Sequence, residues 1–270
     1  MRSLTKAFIV LGSLAVILLS EVPADAQQAV KMEWLSWSHF RFTSPTGKVI
    51  LTNPYLNNPD NKTKLEDLKK VDIILVADGH RDEIGSTVEI AKQTKARVVA
   101  VNELSNGYLA SKGVPREQRI PFAGTGDRYR IDGITIRLVN SLHGSGVPDR
   151  AEPYGGPAAG FFITFENGLT VYFSGSTDIT MDMQLWGSLF KPDVAILHLS
   201  ASRDPMVVAH MVRLLRTDNP NLKTVIPHHH LLKPPPGGTS PKDLEEAIKA
   251  LNLPVTFLNP ELGREYMLTK

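Results

Sequence analysis

The sequence predicts an α/β protein arranged as a four-layer α/β/β/α sandwich. Three observations carry that expectation. Segments of strand length and segments of helical period follow one another in the gross order strands, strand–helix units, strands, strand–helix units. The run from Asp72 to Ala77 is almost wholly apolar and reads as a strand covered on both faces. Asp132-Gly133 and Asn167-Gly168 mark tight hairpins in a β-rich middle.

The elements follow in order. Residues 1–26 stand apart: Arg2 and Lys6 give a positive start, Ala7 to Leu19 an apolar run, and Ala24-Asp25-Ala26 a small-x-small cleavage site. That is the pattern of a secretory signal peptide. A membrane anchor would need roughly 20 apolar residues, and this run has about 13. The domain is therefore expected over 27–270, periplasmic or secreted, with no stable membrane insertion after cleavage. Val30, Met32 and Trp34 alternate with polar residues as in a half-buried strand, and short strands continue at Phe40 to Thr43 and Lys48 to Thr52. A polar loop spans 57–64. After the strand at 72–77, Ile84, Val88, Ile90 and Ala91 give Glu83 to Thr94 an amphipathic helical period. Arg97 to Val101 reads as a strand and Glu103 to Ser111 as a short helix. Strands follow at 128–131, 134–140, 159–165 and 169–174. Helices at 181–189, 206–216 and 241–250 then alternate with strands at 194–199 and 224–227 and a last strand at 255–258.

Composition narrows the chemistry. The chain is 42% hydrophobic and 21% charged, with a net charge of +2. No long basic run marks a nucleic-acid footprint. Cysteine is absent, which removes disulfides, thiolate ligands and cysteine nucleophiles. Any metal must use histidine and carboxylate. Asp78-Gly79-His80-Arg81-Asp82-Glu83 packs four ligand-type side chains into six residues at a strand-to-helix loop, the kind of edge where α/β folds place their sites. Taken alone, Asp82 reads as a helix N-cap and Glu83 as a first-turn carboxylate favoured by the helix dipole. Ser141, Ser145 and Ser176 lack the G-x-S-x-G setting of a serine nucleophile.

Asp78 to Glu83 resembles the H-x-H-x-D-H motif of the metallo-β-lactamase superfamily. Further stretches resemble its metal-dependent hydrolase branch, which includes ascorbate-phosphate lactonase-like proteins. Trp34-Leu35-Ser36-Trp37-Ser38 resembles W-L-G-H-S, and Asn53-Pro54-Tyr55-Leu56 resembles D-P-F-L. Gly155-Gly156-Pro157-Ala158-Ala159-Gly160 resembles G-G-x-P-A-G, Ser174-Gly175-Ser176-Thr177 resembles A-G-D-T, and Val225-Ile226-Pro227-His228-His229 resembles V-I-P-M-H. His143 ends a strand where the family places its next histidine. The resemblance implies the sandwich fold and a first metal held by Asp78, His80 and His143. It implies a second held by Asp82, Glu83 and His229. It also implies departures: carboxylates replace two ligand histidines, Ser176 stands at the bridging aspartate, and Asn53 stands at an early aspartate. Asp178 is a candidate replacement bridge. One or two divalent ions are expected, zinc first, with manganese or iron compatible with the mixed donor set. Asp82 is the expected general base toward a small-molecule ester, lactone, amide or phosphoester, or a ligand if the second position fills. The competing expectation is a non-catalytic ligand-binding protein that keeps the fold without stable metal. His39, His198 and His210 match no motif and are expected to be structural, as are His228 and His230 in a supporting role.

Overall fold

A computed structural model describes residues 29–148 and 154–270. The expected signal peptide and its cleavage site lie outside the described residues. Strands β1 (Val30–Ser36), β2 (His39–Thr43), β3 (Val49–Thr52), β4 (Ile73–Leu75) and β5 (Arg97–Val99) open the chain. Strands β6 (Arg128–Ile131), β7 (Ile134–Asn140), β8 (Ala159–Thr164), β9 (Thr170–Phe173), β10 (Val194–His198), β11 (Thr224–His228), β12 (Thr256–Phe257) and β13 (Glu265–Leu268) complete it. The helices are α1 (Arg81–Ile84), α2 (Thr87–Thr94), α3 (Asp182–Phe190), α4 (Pro205–Arg216) and α5 (Pro241–Ala250). The segment expected as a short helix, Glu103–Leu109, is π-helical.

Two sheets result. One runs β13-β1-β2-β3-β4-β5 and the other β12-β11-β10-β9-β8-β7-β6. Their facing sides share one core, in which Phe40, Phe42, Ile73, Ile136, Phe161 and Phe173 are fully buried. A second core lies under α3, α4 and α5 on the outer face of the second sheet, around Tyr172, Leu197, Val208 and Leu244. With Ile84, Ile90 and Ala91 of α1 and α2 packed on the first sheet, the order of layers is α/β/β/α. Each fully buried Ile, Leu or Phe stabilises this arrangement by roughly 1.5–3 kcal/mol. Two helix starts are written locally. Pro205 begins α4 after Asp204, whose carboxylate accepts from the Met206 amide at 2.8 Å. Ser240 and Asp243 form a capping box on α5.

The structure departs from expectation in two places. The helix anticipated from Glu83 to Thr94 is broken. Gly85 takes φ +50°, and a Cβ there would stand 2.3 Å from the Pro54 carbonyl oxygen, which also accepts from the Ser86 amide at 2.8 Å. The strand at 255–258 is not the last. β13 pairs antiparallel with β1 and closes the edge of the first sheet.

Strands β3, β4 and β5 are parallel, as are β9 to β12. Their C-terminal ends open on a common edge, joined by the β1–β2 turn and the segment after β7.

Candidate metal centre

The sequence-predicted residues meet at that edge in two groups. Asp78, His80 and His143 bring one donor atom each to within 4.8 Å of one another, and so do Asp82, Glu83 and His229. The loop after β4 supplies four of the six. His80 is the N-cap residue of α1 without a side-chain cap bond, and Asp82 and Glu83 lie in its first turn, so Asp82 is not the cap. His143 follows β7, and His229 follows β11.

The first group is half open. The His80 side chain is 38% exposed and Asp78 is fully buried. Asp78 Oδ1 accepts from the His80 amide at 2.9 Å and faces His80 Nδ1 at 3.1 Å. Asp78 Oδ2 is buried without a hydrogen-bond partner among the described residues. The hydrogen bond with Asp78 raises the pKa of His80, against its partial burial. Burial is the main cause that lowers the pKa of His143, whose ring meets that of His80 edge-on at 5.0 Å.

The second group is enclosed and braced. Glu83 is 1% exposed. Its Oε1 lies 2.9 Å from His229 Nε2 and accepts from Ser38 Oγ at 3.2 Å and Ser176 Oγ at 3.4 Å. Its Oε2 accepts from Asn53 Nδ2, and Asn53 Oδ1 accepts from the Ala77 amide at 2.9 Å. Asp82 Oδ2 accepts from Trp37 Nε1 at 2.8 Å and stands 3.6 Å from His229 Nε2. Desolvation pushes the Glu83 carboxyl up, against the pull of His229. Desolvation opposes the charge on His229, yet Glu83 and Asp82 outweigh it and raise its pKa. Desolvation likewise opposes the charge on Asp82, yet the His229 and Trp37 hydrogen bonds hold it well below the usual carboxylate range.

Histidines that matched no motif support this group. His228 Nδ1 lies 2.9 Å from His229 Nδ1, and His228 Nε2 lies 3.3 Å from Ser174 Oγ. Ser174 donates to the Gly175 carbonyl at 2.7 Å, so its oxygen is free to accept from His228. This directs the His228 lone pair at His229 and leaves His229 Nε2 toward the carboxylates. His198, expected to be structural, packs against His229 at 4.5 Å and His143 at 6.5 Å between ring centres. His39 does fit the structural expectation: it is wholly buried, and desolvation lowers its pKa to about 3. His230 stacks on Trp34 at 4.5 Å. His210 lies on α4. Asp178 does not reach either group. Its side chain is 61% exposed and pairs with Arg203 at 3.2 Å, because the turn after Ser176 carries it outward.

Backbone strain gathers here. Trp37, Asn53 and His229 have φ values of +52°, +40° and +63°. Bulky residues in that region cost on the order of 1–3 kcal/mol each and persist where surroundings fix them. The Trp37 carbonyl accepts from Trp34 Nε1 at 2.9 Å and from the His229 amide at 3.1 Å.

Both groups fit a divalent ion. Each offers three oxygen or imidazole donors, and the first leaves a buried carboxylate oxygen that only a cation or a donor would satisfy. In the second, an ion would take the place of the His229 proton.

An α/β/β/α sandwich with two histidine–carboxylate groups at one sheet edge defines the class of metallo-β-lactamase-fold proteins. Residues 48–252 match the family model described as "Beta-lactamase superfamily domain". The chain belongs to the UPF0173 metal-dependent hydrolase family. It is 32% identical to the member from Thermodesulfovibrio yellowstonii over 92% of this chain and 95% of that one. It is 34% identical to the member from Rubrobacter xylanophilus over 87% and 95%. Among solved structures it is similar to Igni18, a metallo hydrolase from Ignicoccus hospitalis. That match has a TM-score of 0.75 and 27% identity, covering 90% of this chain and 99% of the other.

Proposed function

We propose that the protein is an exported hydrolase that uses one or two divalent ions, zinc first, against an ester, lactone, amide or phosphoester of a small molecule. The observation that carries this reading is the convergence of six ligand-type side chains at one edge, with Asp78 Oδ2 buried and unpartnered among the described residues. A bound ion supplies an acidified water and polarises the oxygen under attack. Asp78, His80 and His143 would hold the first ion, and Asp82, Glu83 and His229 a second. Where only the first position is filled, Asp82, which borders the cavity described below, is the group placed to take the proton of the attacking water. Glu83, pinned by Ser38, Asn53 and Ser176, fixes His229 rather than facing substrate.

A second reading has an observation of its own. The hydrogen bonds of Glu83 and His229 are already closed without an ion, and Ser176 donates where a bridging carboxylate would accept. That suits a ligand-binding protein without stable metal. Metal analysis of the full chain purified without chelator separates the two. The hydrolase reading expects bound transition metal, with the first group's share lost in His80→Ala and His143→Ala together with hydrolysis of a panel of ester and phosphoester substrates. Protein that binds no metal even after reconstitution, and melts identically with and without chelator, would overturn it. Export is tested separately: mass spectrometry of the periplasmic fraction should find an N-terminus at Gln27.

A further inference from the structure

A cavity of about 560 Å³ opens beside the second group, within the range of roughly 300–1,000 Å³ usual for small-molecule sites. Trp37, Tyr55, Pro59 and Leu231 give it carbon walls, Asn58, Asp60 and Arg81 add polar groups, and Asp82 joins it to the metal centre. Asp82 thus belongs to both the cavity and the second donor group. The indole of Trp37 is not a loose flap. Its Nε1 donates to Asp82 at 2.8 Å, its ring lies 4.9 Å from that of His229, and its left-handed backbone is held through its carbonyl by Trp34 and His229. A fixed flat wall in a cavity that also carries a second aromatic side chain and aliphatic carbon suits a flat apolar guest, because stacking and apolar burial both favour it and little ordering entropy is lost.

We infer that this cavity receives an aromatic ring, so that the substrate class is an arylalkyl ester, lactone or amide whose reacting carbonyl lies toward Asp82. The reacting end rests on the hydrolytic reading above; the aromatic end rests on the cavity alone.

The test uses the metal-loaded protein and the indole N–H signals of its three tryptophans, with Trp37 assigned through Trp37→Phe. Phenylacetamide should shift the Trp37 signal saturably, and propanamide should not. Tyr55→Ala and Leu231→Asp, two independent variants checked for unchanged circular dichroism and metal content, should each weaken that binding about 3- to 10-fold. In parallel, hydrolysis of methyl phenylacetate should exceed that of methyl propanoate in kcat/KM, and both variants should erase the preference. Binding of phenylacetamide at Trp37 with no hydrolysis of either ester would leave the cavity assignment standing and sink the hydrolase reading. Hydrolysis of both esters at similar rates, with no Trp37 shift and no effect of the variants, would overturn the cavity assignment and leave the hydrolase reading intact.

Discussion

The two donor groups share the loop after β4, each completed by a histidine from elsewhere, yet they are held in opposite ways. Asp78, His80 and His143 stand half open, and their carboxylate keeps an oxygen without a partner among the described residues. Asp82, Glu83 and His229 are braced from five directions by Trp37, Ser38, Asn53, Ser176 and His228. The difference teaches that the first group keeps one acceptor, Asp78 Oδ2, open for a cation or donor, whereas the second is satisfied by its own protons. A braced site is positioned before anything binds, and an open one is completed by what binds.

The largest expected effect strikes the braced side. Glu83→Ala removes the acceptor of three side-chain donors and leaves the buried His229 with Asp82 alone at 3.6 Å, at a cost of about 3–5 kcal/mol in urea unfolding. A cost below about 1 kcal/mol would show that the bracing does not stabilise the fold. On the open side, zinc should stabilise the protein by about 2.7 kcal/mol at a hundredfold excess over its Kd, read as a rise in Tm. His143→Ala should lose one equivalent of zinc and keep whatever the braced group holds. Equal loss from both groups would break the comparison. Asn53→Asp sets a second carboxylate against Glu83 and should cost the metal-free protein about 1–3 kcal/mol. Loading with metal should recover part of that loss. The smallest effect belongs to Trp37→Phe, which forfeits one hydrogen bond to a carboxylate that is 35% exposed, so that water replaces the lost donor and the cost is about 0.5–1 kcal/mol in urea unfolding.

Much of this was legible in the chain. Period-two alternation at Val30, Met32 and Trp34, the Asp132-Gly133 hairpin and the apolar run into Ala77 placed strands within a residue or two of their observed ends. All six residues expected in the two groups do meet, because the loop after β4 encodes four of them side by side. What stayed hidden depends on distant partners. The break at Gly85 is imposed by a carbonyl about thirty residues earlier, at Pro54. β13 is short and polar on one side, and it becomes a strand only because β1 offers an unpaired edge. His198 ends an apolar strand and belongs to no motif, whereas the supporting role expected of His228 beside His229 is the one it has. The position of His198 at the end of a parallel strand, just as Asp78 follows one, was the one available signal. Asp178 looked like a bridge by spacing alone, and the turn at Ser176 sends it to Arg203 instead.

The bond from the His229 amide to the Trp37 carbonyl ties a segment following the second sheet to a turn of the first. It works as a rivet through both leaves of the sandwich. The spacing of donors around an ion is therefore tied to the distance between the leaves, so a substitution deep in the shared core, far from any ligand, can retune the centre by moving one leaf against the other.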